Sequence, residues 1–313
     1  MHFEHEPHYG ARVSRRQSFR VLRLKLLGLL EGTTRLATST MMSRSRPVRI
    51  EMAALGTAVA DLNASIKSWR LWSLLGWIEI RQRYARSKLG PFWLTISMGV
   101  VIGAIGLVFG ALLGQNMDTY LPMLSIGMVA WTLMSTIIIE GCSAYISSAQ
   151  YIRQMHTPRL IYLFQAMWRN FIIFLHNFVI VLIVLSIYGV KSWETVPLFA
   201  PGLLVLLLNS VWMAMVVGLL SARFRDLPQI VTAFMQMMYF VTPIMFAASA
   251  LKKHQWIVTL NPFAYLIDLV RQPLMGEWPS AQTWGIGLTM TLVGWLAALA
   301  LTGRYHNRIP YWL

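Results

Sequence analysis

Residues 91–114 read PFWLTISMGVVIGAIGLVFGALLG, a stretch without a single charged side chain. A helix rises about 1.5 Å per residue, so about 20 apolar residues cross the roughly 30 Å hydrocarbon layer of a bilayer. The backbone finds no water in that layer, and a helix satisfies its N–H and C=O groups internally. The stretch therefore predicts a helix that spans a membrane.

The rest of the chain repeats this pattern. Apolar segments of similar length occupy residues 120–141, 168–189, 198–222, 228–250 and 284–302. The segment 255–275 is also apolar, but it is interrupted by Asn261, Pro262, Asp268, Arg271 and Pro273. We expect it to form re-entrant helices, because interrupted backbone at that depth must face protein or water. The predicted fold class is an all-α integral membrane protein with six transmembrane helices, an N-terminal amphipathic interfacial helix, and re-entrant helices before the last span.

The composition agrees with a membrane protein. Charged residues make up 12% of the 313 residues, whereas soluble domains carry about 25%. The net charge of +15 then indicates orientation and contact with anionic lipids. We expect no nucleic-acid partner, because the aromatic residues lie inside the apolar segments rather than on a basic surface. The single cysteine, Cys142, forms no disulfide within the chain, and we expect no metal site.

Two segments precede the first span. Residues 1–60 are basic and rich in Arg, Ser and Thr, and we expect a disordered extension, with a surface-associated stretch or a later start of translation at Met52 left open. Residues 61–88 predict an amphipathic helix on the membrane surface. Its tryptophans Trp69 and Trp72 would anchor it at the interface, and its basic side chains Arg81, Arg83 and Arg86 would meet lipid head groups.

The basic residues also predict the orientation. With both termini inside, 23 of the 27 Lys and Arg residues lie on the cytoplasmic side. The four on the opposite side are Lys191, Lys252, Lys253 and Arg271. Basic residues accumulate on the cytoplasmic side of membrane proteins, so both termini are predicted to be cytoplasmic.

The sequence lacks a phosphate-binding loop. Such a loop needs a glycine directly before its lysine, so that backbone amides can surround a phosphate. None of the lysines at 25, 67, 88, 191, 252 and 253 follows a glycine. We therefore expect a chain that is not an enzyme, has no catalytic residues, and binds no cofactor of its own.

Ionisable and amide side chains occur within or at the edges of the predicted spans. They are Glu140, Arg169, Asn170, His176 and Asn177. Residues seven apart share a helix face, as Arg169 and His176 do, and as Asn170 and Asn177 do. Such groups are costly in lipid and face the bundle or a water path. We predict an ion pair between Glu140 and Arg169, with a substrate contact or a proton relay as the alternatives.

Two further patterns leave alternatives open. The first span carries glycines at 99, 103, 106, 110 and 114, a spacing that lets helices approach closely inside one bundle or between subunits. Methionine and aromatic residues are concentrated in 235–246. They either pack a core or provide rings on which sugars stack.

Several stretches, taken in order, resemble one family of transporters. They are RYARSKLGPFWLTI (83–96), YLPMLSIGMVAWTLMSTIIIEGCSAYI (120–146), MWRNFIIFLHNFVI (167–180), SARFRDLPQIV (221–231), LNPFAYLIDLVRQPLMG (260–276) and RYHNRIPYWL (304–313). The chain is similar to ABC-2 type transporter permeases, in particular the branch that exports O-antigen and capsular polysaccharides. The resemblance covers about 65–313, and it implies that residues 61–313 form an ABC-2 type transmembrane domain.

The resemblance also implies partners and roles. It implies a homodimer in the bacterial inner membrane and separate cytoplasmic ABC ATPase subunits, which bind ATP and Mg. The helix from Trp69 to Arg86 would lie beside the ATPase or gate entry of a lipid-linked polysaccharide, and 255–275 would close the periplasmic mouth. Contacts with the ATPase would come from Tyr151, Arg153 and His156, and from Arg223, Arg225 and Asp226. The alternatives are an ABC-2 permease for a lipid or drug, and a membrane-embedded glycan-modifying enzyme.

Overall fold

A computed structural model describes residues 55–85, 90, 92–155, 157–246 and 254–313. The predicted extension 1–60 lies almost wholly outside these residues, as do Arg86 and His156. Throughout the described ranges, the regular secondary structure is helical. This agrees with the predicted all-α class.

Twelve helices follow one another along the described residues. They are α1 (55–67), α2 (Trp69–Tyr84), α3 (Phe92–Leu113), α4 (Met117–Ser147), α5 (Ala149–Gln154), α6 (Ile161–Tyr188), α7 (Phe199–Arg223), α8 (Leu227–Val241), α9 (Gln255–Leu260), α10 (Pro262–Met275), α11 (Ala281–Tyr305) and α12 (Ile309–Trp312). Single 3₁₀ turns precede α7 (Val196–Leu198) and α12 (His306–Arg308).

Five of these helical stretches are long and apolar enough to cross a membrane. They are Phe92–Leu112, Met117–Ser147, Ile161–Tyr188, Val196–Arg223 and Ala281–Trp312, and each corresponds to one predicted span. Helix α4 extends beyond the predicted end at residue 141, and α6 begins before the predicted start at 168. Backbone hydrogen bonds do not require apolar side chains, so a helix can continue past its apolar part into polar surroundings.

The predicted span 228–250 differs from the structure. Helix α8 ends at Val241 after 15 residues, about 22 Å of helix, which is shorter than the roughly 30 Å hydrocarbon layer. Thr242 is extended (φ −81°, ψ 136°), because the following Pro243 disfavours a helical conformation at the residue before it. Six full spans are therefore not confirmed.

The predicted interruption at 261–262 is present, and it divides α9 from α10. The Asn261 side chain accepts a hydrogen bond from the N–H of Phe263 (3.0 Å) and caps α10. Its amide also donates to Thr242 Oγ1 (2.9 Å), and the buried Arg271 donates to Pro243 O (2.6 Å). These bonds attach α10 to the turn that ends α8. Entry of α9 and α10 into a membrane remains a prediction.

Two other predicted residues of this region also have partners. Asp268 forms an ion pair with Arg271, one helical turn away. Pro273 lies in the last turn of α10, and its carbonyl accepts a hydrogen bond from the Thr195 hydroxyl (2.7 Å). The ion pair is internal to α10, whereas the bond to Thr195 attaches the end of α10 to the segment before α7.

Helix α4 lies at the centre of the bundle, packed against α6, α7 and α10. Its Gly141 allows close contact with α7, because a Cβ there would lie 2.9 Å from the Cα of Ala214. The most hydrophobic 18-residue window of α4 is 78% buried, whereas that of α3 is 11% buried. Among the described residues, the main contacts of α3 are with α4 and α6.

Candidate functional site

A cluster of charged side chains joins α2, α4 and α6. Arg169 on α6 forms ion pairs with Glu140 on α4 (2.7 Å) and with Glu79 on α2. Asn170 donates a hydrogen bond to the same Glu140 oxygen. The predicted pairing of Glu140 with Arg169 is therefore confirmed as a contact between helices. The two side chains are 26% and 14% exposed, so the ion pair is mostly shielded from solvent.

Glu79 is a member of this cluster that the sequence analysis missed. It accepts a second hydrogen bond from the Gln165 side chain of α6 (2.6 Å). Gly76 lets α2 approach this closely, since a Cβ there would lie 3.1 Å from Gln165 O. The available signal was that Glu79 is the one acidic residue in the otherwise basic sequence of α2.

A cavity of about 390 Å³ lies beside the cluster, between α3, α4 and α6. Seven of its fifteen lining residues are polar, namely Arg83, Ser97, Thr132, Thr136, Glu140, Asn170 and Asn177. The hydroxyls donate to carbonyls of their own helices, for example Thr132 to Met128 O (2.8 Å). A hydroxyl that donates in this way retains lone pairs that can accept a hydrogen bond.

Asn177 adds a buried polar group to this cavity. It is 4% exposed, and its Oδ1 has no hydrogen-bond partner among the described residues. A buried amide oxygen without a partner is costly in a protein. Asn177 therefore brings a buried acceptor without a partner among the described residues to the wall of this cavity.

His176 lies apart from the cluster, although its spacing placed it on the same face as Arg169. Its ring packs edge-on against Phe92 of α3, with 6.4 Å between centroids, and its Nδ1 contacts Ile172 O (2.8 Å). Thr95 donates to His176 O (3.2 Å). His176 therefore contributes to the contact between α3 and α6.

The predicted interfacial residues point in different directions. Trp72 faces inward, where its Nε1 donates to Ser65 O (3.1 Å) and its ring meets that of Trp168 (5.9 Å). Trp69 is 55% exposed, and Arg81 and Arg83 are exposed on the last turns of α2. Their predicted gating role remains a prediction.

The residues predicted to contact the ATPase lie on two turns between helices. Tyr151 and Arg153 are exposed on the short helix α5, and Arg223, Arg225 and Asp226 are exposed where α7 turns into α8. Asp226 occupies the position before α8, and its side chain forms no capping hydrogen bond there. Across the described ranges, no three His, Cys, Asp or Glu side chains come together as metal ligands.

Helices that are long and apolar enough to cross a membrane, with buried polar groups between them, indicate a multi-pass membrane protein. The profile of the ABC-2 type transporter family matches residues 70–275, and the chain belongs to this family.

Three relatives share part of the sequence at low identity. Two are O-antigen export system permease proteins RfbA of Klebsiella pneumoniae. One is 24% identical over 225 residues, 69% of this chain and 86% of the relative. The other is 23% identical over 202 residues, 63% of this chain and 77% of the relative. The third, of the same name, is from Myxococcus xanthus and is 23% identical over 194 residues, 60% of this chain and 74% of the relative.

Proposed function

We propose that this chain is the permease subunit of an ATP-driven exporter that moves a lipid-linked polysaccharide across the bacterial inner membrane. The cargo would be an O-antigen, a capsule or a similar cell-surface glycan. The relatives are named as O-antigen export permeases, and this supports a glycan as the cargo. The observation that carries the proposal is the cavity between α3, α4 and α6, because it places polar groups within helices that are otherwise suited to lipid.

The chemistry of this cavity suits a carbohydrate. Sugars carry many hydroxyl groups, each of which donates and accepts hydrogen bonds. Thr132, Thr136 and Asn177 offer acceptors along the cavity wall. Arg83 lines the cavity together with Glu140, and its charge would attract the phosphate of a lipid carrier. The cavity would thus hold a polar chain that passes through, without a covalent step.

The energy for transport would come from a separate ATPase. The sequence has no phosphate-binding loop, and family members generally work with a cytoplasmic ABC ATPase. The exposed side chains Tyr151, Arg153, Arg223, Arg225 and Asp226 would form its docking surface. Both termini and these turns would lie in the cytoplasm, in agreement with the distribution of basic residues.

A second copy of the chain would complete the conduit. The polar face of α8, with Gln229 and Gln236, is exposed in the single chain, and an amide exposed to lipid would be costly. The face of α3 that carries Gly103 is also open, with no atom within 4 Å of a Cβ built there. A homodimer would cover both faces and enclose a wider polar path.

Export can be tested in a strain in which the native gene is replaced by variants. Thr136→Val and Asn177→Leu remove acceptors from the cavity wall, and Leu182→Ala, on the exposed side of α6, is the matched control. We expect less glycan at the cell surface and more lipid-linked glycan in the cytoplasm for the two cavity variants, at equal protein levels. Normal surface glycan without cytoplasmic accumulation after deletion of the gene would refute the proposed function.

A further inference from the structure

The carboxylate of Asp61, on α1, is buried and bonded to the start of α6. Its Oδ1 accepts a hydrogen bond from the backbone N–H of Arg159 (3.0 Å), and its Oδ2 accepts one from the N–H of Leu160 (3.2 Å). Helix α6 has no capping side chain of its own. A carboxylate at this position satisfies free amides and is favoured by the helix dipole. Asp61 therefore caps α6 from a distant part of the chain.

The last described residues, 306–313, reach the same place, and we call them the tail. A cavity of about 650 Å³ has α1, the α5–α6 turn and the tail as its walls. Asp61 and Arg159 line it from one side, and His306 and Pro310 line it from the tail. Burial lowers the pKa of Arg159, and the negative charge of Asp61 opposes that shift. The three segments thus share one electrostatic environment.

The tail also contacts the α7–α8 turn. The guanidinium of Arg223 lies over the Trp312 ring, 5.6 Å from its centroid, within the range of a cation–π interaction. Arg225 Nη2 donates a hydrogen bond to Leu313 O (2.9 Å). Trp312 is held in turn against the ring of Tyr305, at 5.4 Å. One short segment therefore links the α5–α6 turn to the α7–α8 turn.

We propose that α1 and the tail form a cytoplasmic brace that holds these two turns in one fixed geometry, with Asp61 and Trp312 as its positioning residues. The inference rests on the proposed function, in which both turns contact the ATPase. A displacement applied to two loosely attached turns would move the turns and not the spans. With the brace in place, the turns move together and pass the displacement to α6 and α7.

The brace itself is tested by a distance measurement that needs no ATPase. In a Cys142→Ser background, the full chain receives spin labels at Gln154→Cys on α5 and Ile230→Cys on α8, both exposed positions. Labelled protein is diluted with unlabelled protein in nanodiscs, so that distances arise within one copy. We expect one narrow distance distribution in the parent. In Asp61→Ala and Trp312→Ala, the population outside that peak should rise about fivefold, the effect of losing one net hydrogen bond or similar contact.

Two matched controls occupy the same helices. Asn63→Ala changes an exposed side chain on α1, and Tyr311→Ala changes an 88% exposed ring next to Trp312. Both controls should keep the narrow distribution. An unchanged distribution in Asp61→Ala and in Trp312→Ala would overturn the brace.

The role in coupling is tested with the ATPase present. The full complex is reconstituted, and the amount of glycan transported per ATP hydrolysed is measured for the same four variants. Asp61→Ala and Trp312→Ala should retain hydrolysis and lower this ratio, whereas the controls should match the parent. A broadened distribution with an unchanged ratio would overturn the coupling role. If no ATPase assembles with the chain, the proposed function fails, and the distance measurement still decides whether the brace exists.

Discussion

Helices α3 and α4 follow one another in the chain, and both are apolar enough to span a membrane, with mean hydropathies of 2.2 and 1.7. Their surroundings differ sharply, because the most hydrophobic window of α4 is 78% buried and that of α3 is 11% buried. The more hydrophobic helix is therefore the less buried one. Hydropathy measures how well a helix suits lipid, whereas a central position requires small and polar side chains that neighbouring helices can approach and bond.

The largest effect is expected where α4 is bound to its neighbours by charge. Arg169→Ala would leave the acids Glu140 and Glu79 partly buried without their cation. Breaking a buried ion pair in this way costs about 3 kcal/mol of unfolding free energy. Unfolding of the purified protein in detergent, followed by tryptophan fluorescence, measures the loss.

The control for this prediction is Arg304→Ala, which removes an exposed arginine from α11. Its effect should stay within about 0.5 kcal/mol. Equal losses in the two variants would show that the cluster does not hold α4 to α2 and α6.

The charged cluster shows how much of the site could be predicted from sequence. Glu140 and Arg169 are ionisable groups in apolar segments, and the cost of burying each one alone predicts that they pair. Glu79 was missed because it lies in a segment whose basic residues suggested contact with lipid head groups. The contact of Glu79 with Arg169 depends on the packing of Gly76 against α6. The periodicity of a helix predicts which residues share a face, but not which neighbouring helix that face contacts. Asp61 was missed for the same reason.

The spans show a similar division. Five were predicted from the length of apolar segments, because crossing lipid imposes that length on any sequence. The remaining predicted span, 228–250, contains no charged residue, yet Pro243 ends its helix at Val241. Arg271 donates to the freed carbonyl of Pro243 (2.6 Å), so a residue from α10 stabilises the early end of α8. That contact is tertiary, and hydropathy cannot predict it.

An intermediate effect is expected when a side chain is added to a glycine of α4. In Gly141→Leu, the new Cβ would lie 2.6 Å from the Cβ of Ala214, and α7 would have to move. Overpacking of this kind costs about 1–3 kcal/mol. Gly103→Leu on α3 is the matched control, since a Cβ there meets no atom within 4 Å.

Thermal unfolding of the two glycine variants in detergent tests whether α4 is packed more closely than α3. Gly141→Leu should unfold at a lower temperature than the parent, and Gly103→Leu should not. The same loss in both would mean that α3 is as closely packed within its own chain as α4.

The smallest effect on stability is expected on the open face of α3, where a cysteine scan can show what covers that face. In a Cys142→Ser background, Val100→Cys, Leu107→Cys and Val108→Cys replace side chains that are 65%, 68% and 62% exposed. Each should change the unfolding free energy by no more than about 0.5 kcal/mol. In membranes, at least one should form an oxidant-dependent disulfide between two copies. The proposed homodimer needs an interface, and this face of α3 is exposed in the single chain.

Leu182→Cys on α6, 51% exposed, is the control for that scan and should stay monomeric on a denaturing gel. Absence of cross-links along α3, or equal cross-linking at Leu182, would mean that lipid covers α3 and that the dimer contact lies elsewhere. A cross-link specific to α3 would show that the low burial of α3 serves the contact between subunits. Helix α4, held by charge and close packing, would be the fixed centre of each subunit, and α3, attached along one side, would be free to shift against the second copy when the conduit opens.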